Sequence, residues 1–231
     1  MQQGDTVMKL YCDPLSTSSR PVMMLVSDFD LDIEIIHVDL FGNQNQAPEF
    51  LAINPLGTVP VLVDGDFTLT ESTAILKYLA FKLDLPVYPK ALAAQIRVDE
   101  ATARFGTTFH GYHCLYGTYP QMLQQLAWMA DTTKAEMAQV GSYGSQRYLG
   151  VLDRQLASHG PFVCGPEVTI ADYVGLALVT LADFIAFDFA PYPSVQGWIA
   201  RMQKRKGWEA EYAGFTGMVA AARSAVADSA A

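Results

Sequence analysis

Glu71 and Ser72 stand where a strand-like run gives way to helical spacing, and there the sequence gathers groups able to hold a ligand. A helix start presents free N–H groups and the positive end of the helix dipole, which attract a carboxylate. A hydroxyl and a carboxylate beside that end could also grip an amino-acid head group, ammonium and carboxylate together. Upstream, Pro60 cannot donate to a sheet ladder, so it belongs at the first residue of a strand or at an edge. A proline in a tight turn after a glycine-bearing loop is also a candidate for a cis bond. That placement leaves the backbone of Val59 open to an extended peptide. The same residues read equally as a hairpin and a capped helix with no ligand at all.

Other reactive side chains are scattered. Cys12, Cys114 and Cys164 are odd in number and far apart, without a Cys-x-x-Cys pair, which suits a reducing cytoplasm. His37, His110, His113 and His159 lack acidic or cysteine companions at ligand spacing. His110 and His113, three apart on an expected helix, are the nearest approach to a metal pair, and the reading takes no metal.

The elements that position Glu71 and Ser72 are legible. Val61–Val63 and Phe67–Leu69 are strand-like, with Asp64-Gly65-Asp66 supplying the turn between them. Ile75, Leu76 and Leu79 then recur at helical spacing. Earlier, Met8–Cys12 reads as a first strand, and residues 13–20 form a loop dense in caps and breakers. Val22, Leu25, Val26 and Phe29 mark a helix, and residues 32–40 a second strand. A polar loop over 42–48 and a turn or two of helix over 49–53 follow. The order β-α-β-α-β-β-α is thioredoxin-like.

The prolines of residues 83–90 break the helical pattern, and the domain boundary belongs there. The reading is an α/β thioredoxin-like domain over 1–83, a linker over 84–90 and an all-α domain over 91–231. Residues 95–116 and 132–158 are expected as long helices, the first bent between Gly106 and Gly111, the second ended by Gly160-Pro161. Thr169 with Asp172 three residues on predicts a capping box at a helix start. The last dozen residues are expected to fray.

The 231 residues carry a net charge of −9 with no basic run, which argues against a nucleic-acid groove or an anionic-membrane patch. Residues 1–7 have neither a basic segment nor an apolar core of signal-peptide length. No run is long enough to span a membrane; residues 174–185 are too few and include Asp183.

The run from Asn54 through Gly57, Thr58, Val59, Pro60, Asp64, Gly65, Glu71 and Ser72 to Leu79 strongly resembles the glutathione-binding half of glutathione transferases, theta-like ones in particular. The Thr169-x-x-Asp172 box and the stretch from Tyr192-Pro193 through Trp198 to Glu209 extend the resemblance to the helical half. It implies the glutathione transferase fold, and an enzyme that activates the glutathione thiol to attack a small hydrophobic electrophile. Conjugation in detoxification, with dehalogenation or ether cleavage as variants, is the expected chemistry. It also implies a cytoplasmic homodimer with glutathione as co-substrate. The alternative is a protein of the same fold that binds glutathione or apolar ligands without turnover.

By that resemblance Val59, before the proline, pairs with the cysteinyl backbone of glutathione, and Glu71 and Ser72 hold its γ-glutamyl group. Theta-like members place the thiol-activating serine four residues before an arginine that begins the first helix. Ser16 stands four before Arg20, although Thr17-Ser18 replaces the frequent Gln-Pro, and Ser18 and Ser19 are competing hydroxyls. Asn45 falls where the family has a histidine near the glycyl end, and Thr58 where a lysine is common, so two positive charges are absent. Thr107 and His110 fall where the family often carries aspartate and arginine. The electrophile site is expected between the two halves, with Leu15, His110, His113, Tyr116 and Tyr119 as its candidates.

Overall fold

The computed structural model describes residues 7–229, with side chains through residue 224. Two compact units divide between Leu85 and Pro86. The first runs through Leu85 and takes in Arg205–Phe215; the second holds Pro86–Lys204 and the chain from Thr216. Assigning Arg205–Phe215 to the first unit departs from a division into consecutive halves.

In the first unit the order is β1 (Met8–Cys12), α1 (Arg20–Asp28), β2 (Ile33–His37), α2 (Pro48–Leu51), β3 (Val61–Asp64), β4 (Phe67–Thr70) and α3 (Ser72–Lys82). The sheet order is β2-β1-β3-β4. β1 lies parallel to β2, with Leu10 opposite Ile35, and antiparallel to β3, with Leu10 opposite Leu62. β3 and β4 form the expected hairpin, turning at Gly65 with φ +59°. The core is supplied by Leu10 and Leu62 from the sheet, Val22, Met24 and Leu25 from α1, and Ile75, Leu76 and Leu79 from α3, all wholly buried. Val38, Phe50, Val59 and Val61 form a second buried cluster that joins α2 to the sheet.

β2 is shorter than the expected residues 32–40. Past Val38 the backbone turns away, because Asp39 donates its N–H to the Gln44 side-chain oxygen at 2.9 Å and accepts the Gly42 N–H at 2.9 Å.

The second unit is helical: α4 (Leu92–Arg104), a π-helical stretch (Phe105–Thr118), α5 (Tyr119–Met122), α6 (Asp131–His159), α7 (Ile170–Val179), α8 (Pro193–Met202) and the latter part of α9 (Lys206–Ser229). The expected bend near Gly106–Gly111 takes the form of this wider winding. α6 packs closely on it, and a Cβ on Gly144 would fall 2.0 Å from the Tyr112 ring. α6 ends at Gly160, φ +132°, as the Gly-Pro pair predicts. The capping box is present: the Asp172 carboxylate accepts the Thr169 N–H at 2.8 Å and its hydroxyl at 3.1 Å.

α9 is helical to Ser229, which covers most of the last dozen residues where fraying is expected; residues 1–6 and 230–231 lie outside the described residues. Among the described residues no helix is long and apolar enough to cross a membrane.

Candidate functional site

The loop between β1 and α1 is held by its own polar groups. Asp13 is 2% exposed; its carboxylate accepts the Leu15 N–H at 2.8 Å and the Leu40 N–H at 3.0 Å, which ties this loop to the one after β2. The Asp13 carbonyl accepts the Ser16 N–H at 3.0 Å. Ser16 is half-buried, and its Oγ accepts the Ser19 N–H at 3.2 Å. That bond uses an oxygen lone pair and leaves the hydroxyl proton to be donated elsewhere. Ser16 thus caps the turn leading into α1 while keeping its donor.

The neighbouring hydroxyls differ. Ser19 is wholly buried and its Oγ accepts the Asp13 N–H at 3.3 Å, so it is occupied inside the loop. Ser18 is exposed. Cys12 is buried, and desolvation, with Glu211 and Asp13 adding negative charge, pushes its thiol up to about 12. It is a small core side chain here and no nucleophile.

A second loop forms the turn before β3. Asn54, 2% exposed, donates its amide to the Thr58 carbonyl at 2.8 Å and the Thr58 hydroxyl at 3.0 Å, and accepts the Leu56 N–H at 3.2 Å. Asn45 donates to the Gly57 carbonyl at 2.7 Å. The Val59–Pro60 peptide is cis. Sheet pairing begins at Val61, so the peptide groups of Val59 lie beyond the ladder. The sequence reading assigns neither Asp13 nor Asn54 a role, although the dipeptides Asp13-Pro14 and Asn54-Pro55 both signal a turn.

Glu71 and Ser72 sit at the start of α3, Glu71 exposed and Ser72 half-buried. Glu71 has φ +68° and ψ +114°, outside the regions an L-residue normally occupies. Such strain is kept where it serves a site, at a cost of about 1–3 kcal/mol.

Comparison with known proteins gives these loops a context. The model of the glutathione S-transferase N-terminal domain matches residues 6–81, and that of the C-terminal domain residues 109–206. The chain belongs to the glutathione S-transferase family. It is 32% identical to human glutathione S-transferase theta-2 over 210 residues, 87% of this chain and 83% of that protein. It is 29% identical to the Drosophila melanogaster glutathione S-transferase D7 over 214 residues, 87% and 86% of the two chains. Among solved structures, human glutathione transferase theta-2 in complex with glutathione and an unknown ligand superposes with a TM-score of 0.83. That match has 28% identity and covers 94% of this chain and 90% of that one. A Bombyx mori glutathione transferase gives 0.78 at 27% identity, covering 94% and 98%. Theta-like character is thus shared by sequence and fold.

The electrophile candidates of this transferase divide. Leu15 lies in the Ser16 loop of the first unit. In the second unit His110 and Tyr119 meet edge to face at 6.0 Å, both half-buried, and burial lowers the His110 imidazole from its ordinary value. Tyr116 is exposed beside Tyr112. His113 corrects the sequence reading. It is 2% exposed, its Nδ1 paired with the Ser145 hydroxyl at 2.9 Å and its Nε2 with the Val179 carbonyl at 3.2 Å. Its ring also stacks on Phe109 at 4.6 Å. Both nitrogens are taken inside the helical core, which does not suit a pocket wall. The Thr107 hydroxyl donates to the Ala103 carbonyl at 2.7 Å along its own helix.

Proposed function

We propose that this chain is a theta-like glutathione transferase in which Ser16 donates its hydroxyl proton to the glutathione sulfur and so favours the thiolate that attacks a small hydrophobic electrophile. The observation that carries this is the Ser16 hydroxyl itself: half-buried at the entry to α1, its oxygen accepting the Ser19 N–H, a bond that does not use its proton. Glutathione would lie extended along the Val59-Pro60 turn, its cysteinyl backbone paired with Val59. Its γ-glutamyl group would sit at Glu71 and Ser72 on the N-terminus of α3, with Asn45 and Thr58 toward the glycyl end. No cationic side chain stands at those last two positions, so neutral hydrogen bonds would hold the glycyl carboxylate. The solved human theta-2 relative contains glutathione, which supports this assignment.

Simple magnitudes say what Ser16 contributes. A free thiol with pKa near 8.5 is about 3% thiolate at pH 7. Lowering it by ~2 units raises the thiolate fraction roughly 20-fold. The weaker nucleophilicity of a more acidic thiol returns roughly 8-fold, leaving a net gain of about 3-fold. Most of the rate must therefore come from orienting sulfur and electrophile and from stabilising the leaving group.

In this reading residues 1–83 form the glutathione-binding domain, 84–90 the linker and 91–231 the electrophile-binding domain. Within the second unit, His110, Tyr116 and Tyr119 are the residues proposed to contact the electrophile. The enzyme works in the cytoplasm as a homodimer. Among the described residues Cys12, Cys114 and Cys164 form no disulfide, which suits a reducing compartment. Exposed apolar side chains such as Phe81 and Leu92 support self-association.

The test is a crystal soaked in glutathione. The proposal predicts the sulfur within hydrogen-bond reach of Ser16 Oγ; a sulfur facing Ser18 instead would transfer the role to that residue.

A further inference from the structure

We propose that Arg20, caged by Tyr212 and Phe215 of α9, is a positioning residue that aims the Ser16 hydroxyl at the bound sulfur. The inference rests on the reading of Ser16 given above.

The peptide unit joining Leu15 to Ser16 is gripped at both ends. Its carbonyl accepts a hydrogen bond from Arg20 Nη1 at 2.9 Å, and its N–H donates to the Asp13 carbonyl at 3.0 Å. One residue earlier, the Leu15 N–H goes to the Asp13 carboxylate at 2.8 Å. Fixing that peptide plane fixes the direction in which Ser16 projects its Cβ and hydroxyl. Hydrogen bonds weaken steeply as they leave linearity, so the donor's aim depends on this plane.

Arg20 is wholly buried, and a buried cation needs compensation. Aromatic faces supply part of it. Its guanidinium carbon lies 4.0 Å from the Phe215 ring centroid and 5.3 Å from that of Tyr212. The two rings are three residues apart, on one face of α9, and meet edge to face at 6.0 Å. Trp208 stacks on Tyr212 at 4.2 Å. Burial pushes the Tyr212 phenol up to about 12, so it remains a neutral ring at physiological pH.

α9 is itself registered against α1. Asp28 accepts the Gly207 N–H at 2.7 Å and is paired with Arg205, and Ser27 donates to Glu211. A Cβ at Gly207 would come within 2.4 Å of the Met24 carbonyl, so the helices approach as closely as only glycine permits. Residues from the far end of the chain thus hold the arginine that holds the serine loop.

The test uses the full-length protein with reduced glutathione as ligand, comparing Phe215→Leu and Arg20→Met with the parent. Thiolate absorbance is titrated against pH, and affinity is measured by calorimetry. Phe215→Leu is expected to raise the pKa of the bound thiol by about one unit, a tenfold change in its ionisation constant, with affinity within about twofold of the parent. Arg20→Met should raise it at least as far, and if that variant does not fold, Phe215→Leu decides alone. In a Ser16→Ala background Phe215→Leu should add no further shift, as a residue acting through Ser16 requires. Thr169→Ala, which weakens the helical unit instead, should leave the thiol pKa at the parent value. An unshifted thiol in Phe215→Leu, a full additional shift in the Ser16→Ala background, or an equal shift in Thr169→Ala each overturns the inference while the parent still acidifies glutathione. If the parent does not acidify it, the reading of Ser16 fails and the inference with it.

Discussion

The indole N–H of Trp198 donates to the Asp172 carboxylate at 2.9 Å, and the same carboxylate accepts the N–H groups of Val163 and Thr169 and the Thr169 hydroxyl. One buried acid therefore caps α7, ties down the turn after α6 and anchors α8. Thr169→Ala removes the smaller share and should cost about 1 kcal/mol. Asp172→Ala strands several buried donors and should cost about 3 kcal/mol or more. Urea midpoints measure both; equal midpoints for Thr169→Ala and the parent would remove the capping argument. Glutathione affinity in the folded fraction should not change.

His113 predicts acid sensitivity. Its desolvated imidazole titrates at about 4 in the fold, against 6.5 for the ordinary value. Between those values the unfolded chain binds a proton that the folded chain does not. Stability from this site is complete above pH 6.5 and is lost as pH falls toward 4, on the order of 2 kcal/mol by pH ~5. Denaturation of the parent and His113→Gln at pH 8 and pH 5 should show a steeper loss in the parent, despite its greater stability at pH 8. Parallel pH profiles would contradict it.

At Glu71 stability and binding should separate. At an ordinary position Gly is less stable than Ala, but the φ of +68° here reverses the order. Glu71→Gly should therefore be more stable than Glu71→Ala by about 1 kcal/mol. On the proposed binding mode both would lose a charge-assisted contact worth roughly 1.5–3 kcal/mol, so both should bind glutathione about ten- to a hundredfold more weakly. Ser72→Ala should weaken binding in the same direction. Calorimetry and thermal denaturation read the two effects, and undiminished affinity in Glu71→Ala and Ser72→Ala would rule out this site for the γ-glutamyl group.

What the sequence disclosed here was local. The Asp64-Gly65-Asp66 turn, the helix opening at Ser72 and the Thr169–Asp172 box each announce themselves within a few residues, because turn and cap chemistry is short-range. The cage around Arg20 did not, since Tyr212 and Phe215 reach it from the opposite end of the chain and read alone as ordinary aromatic spacing. Periodicity placed His113 on a helix face but said nothing of depth, which α6 and α7 determine by covering it. The resemblance points Asn45 toward a ligand, yet one of its amide N–H groups serves the Gly57 carbonyl, a contact that only the folded loop creates.

The central claim is that the Ser16 hydroxyl stabilises the thiolate of bound glutathione. Ser16→Ala barely changes volume and leaves the other anchors in place, so affinity should change little. Thiolate absorbance titrated in the parent, Ser16→Ala and Ser18→Ala measures the claim directly. The account predicts a bound thiol acidified by ~2 units in the parent and in Ser18→Ala, and returned toward about 8.5 in Ser16→Ala. Turnover at pH 7 in Ser16→Ala should fall by more than about 3-fold, because the hydroxyl also orients the sulfur. A thiol as acidic in Ser16→Ala as in the parent, or one the parent never acidifies, would contradict it.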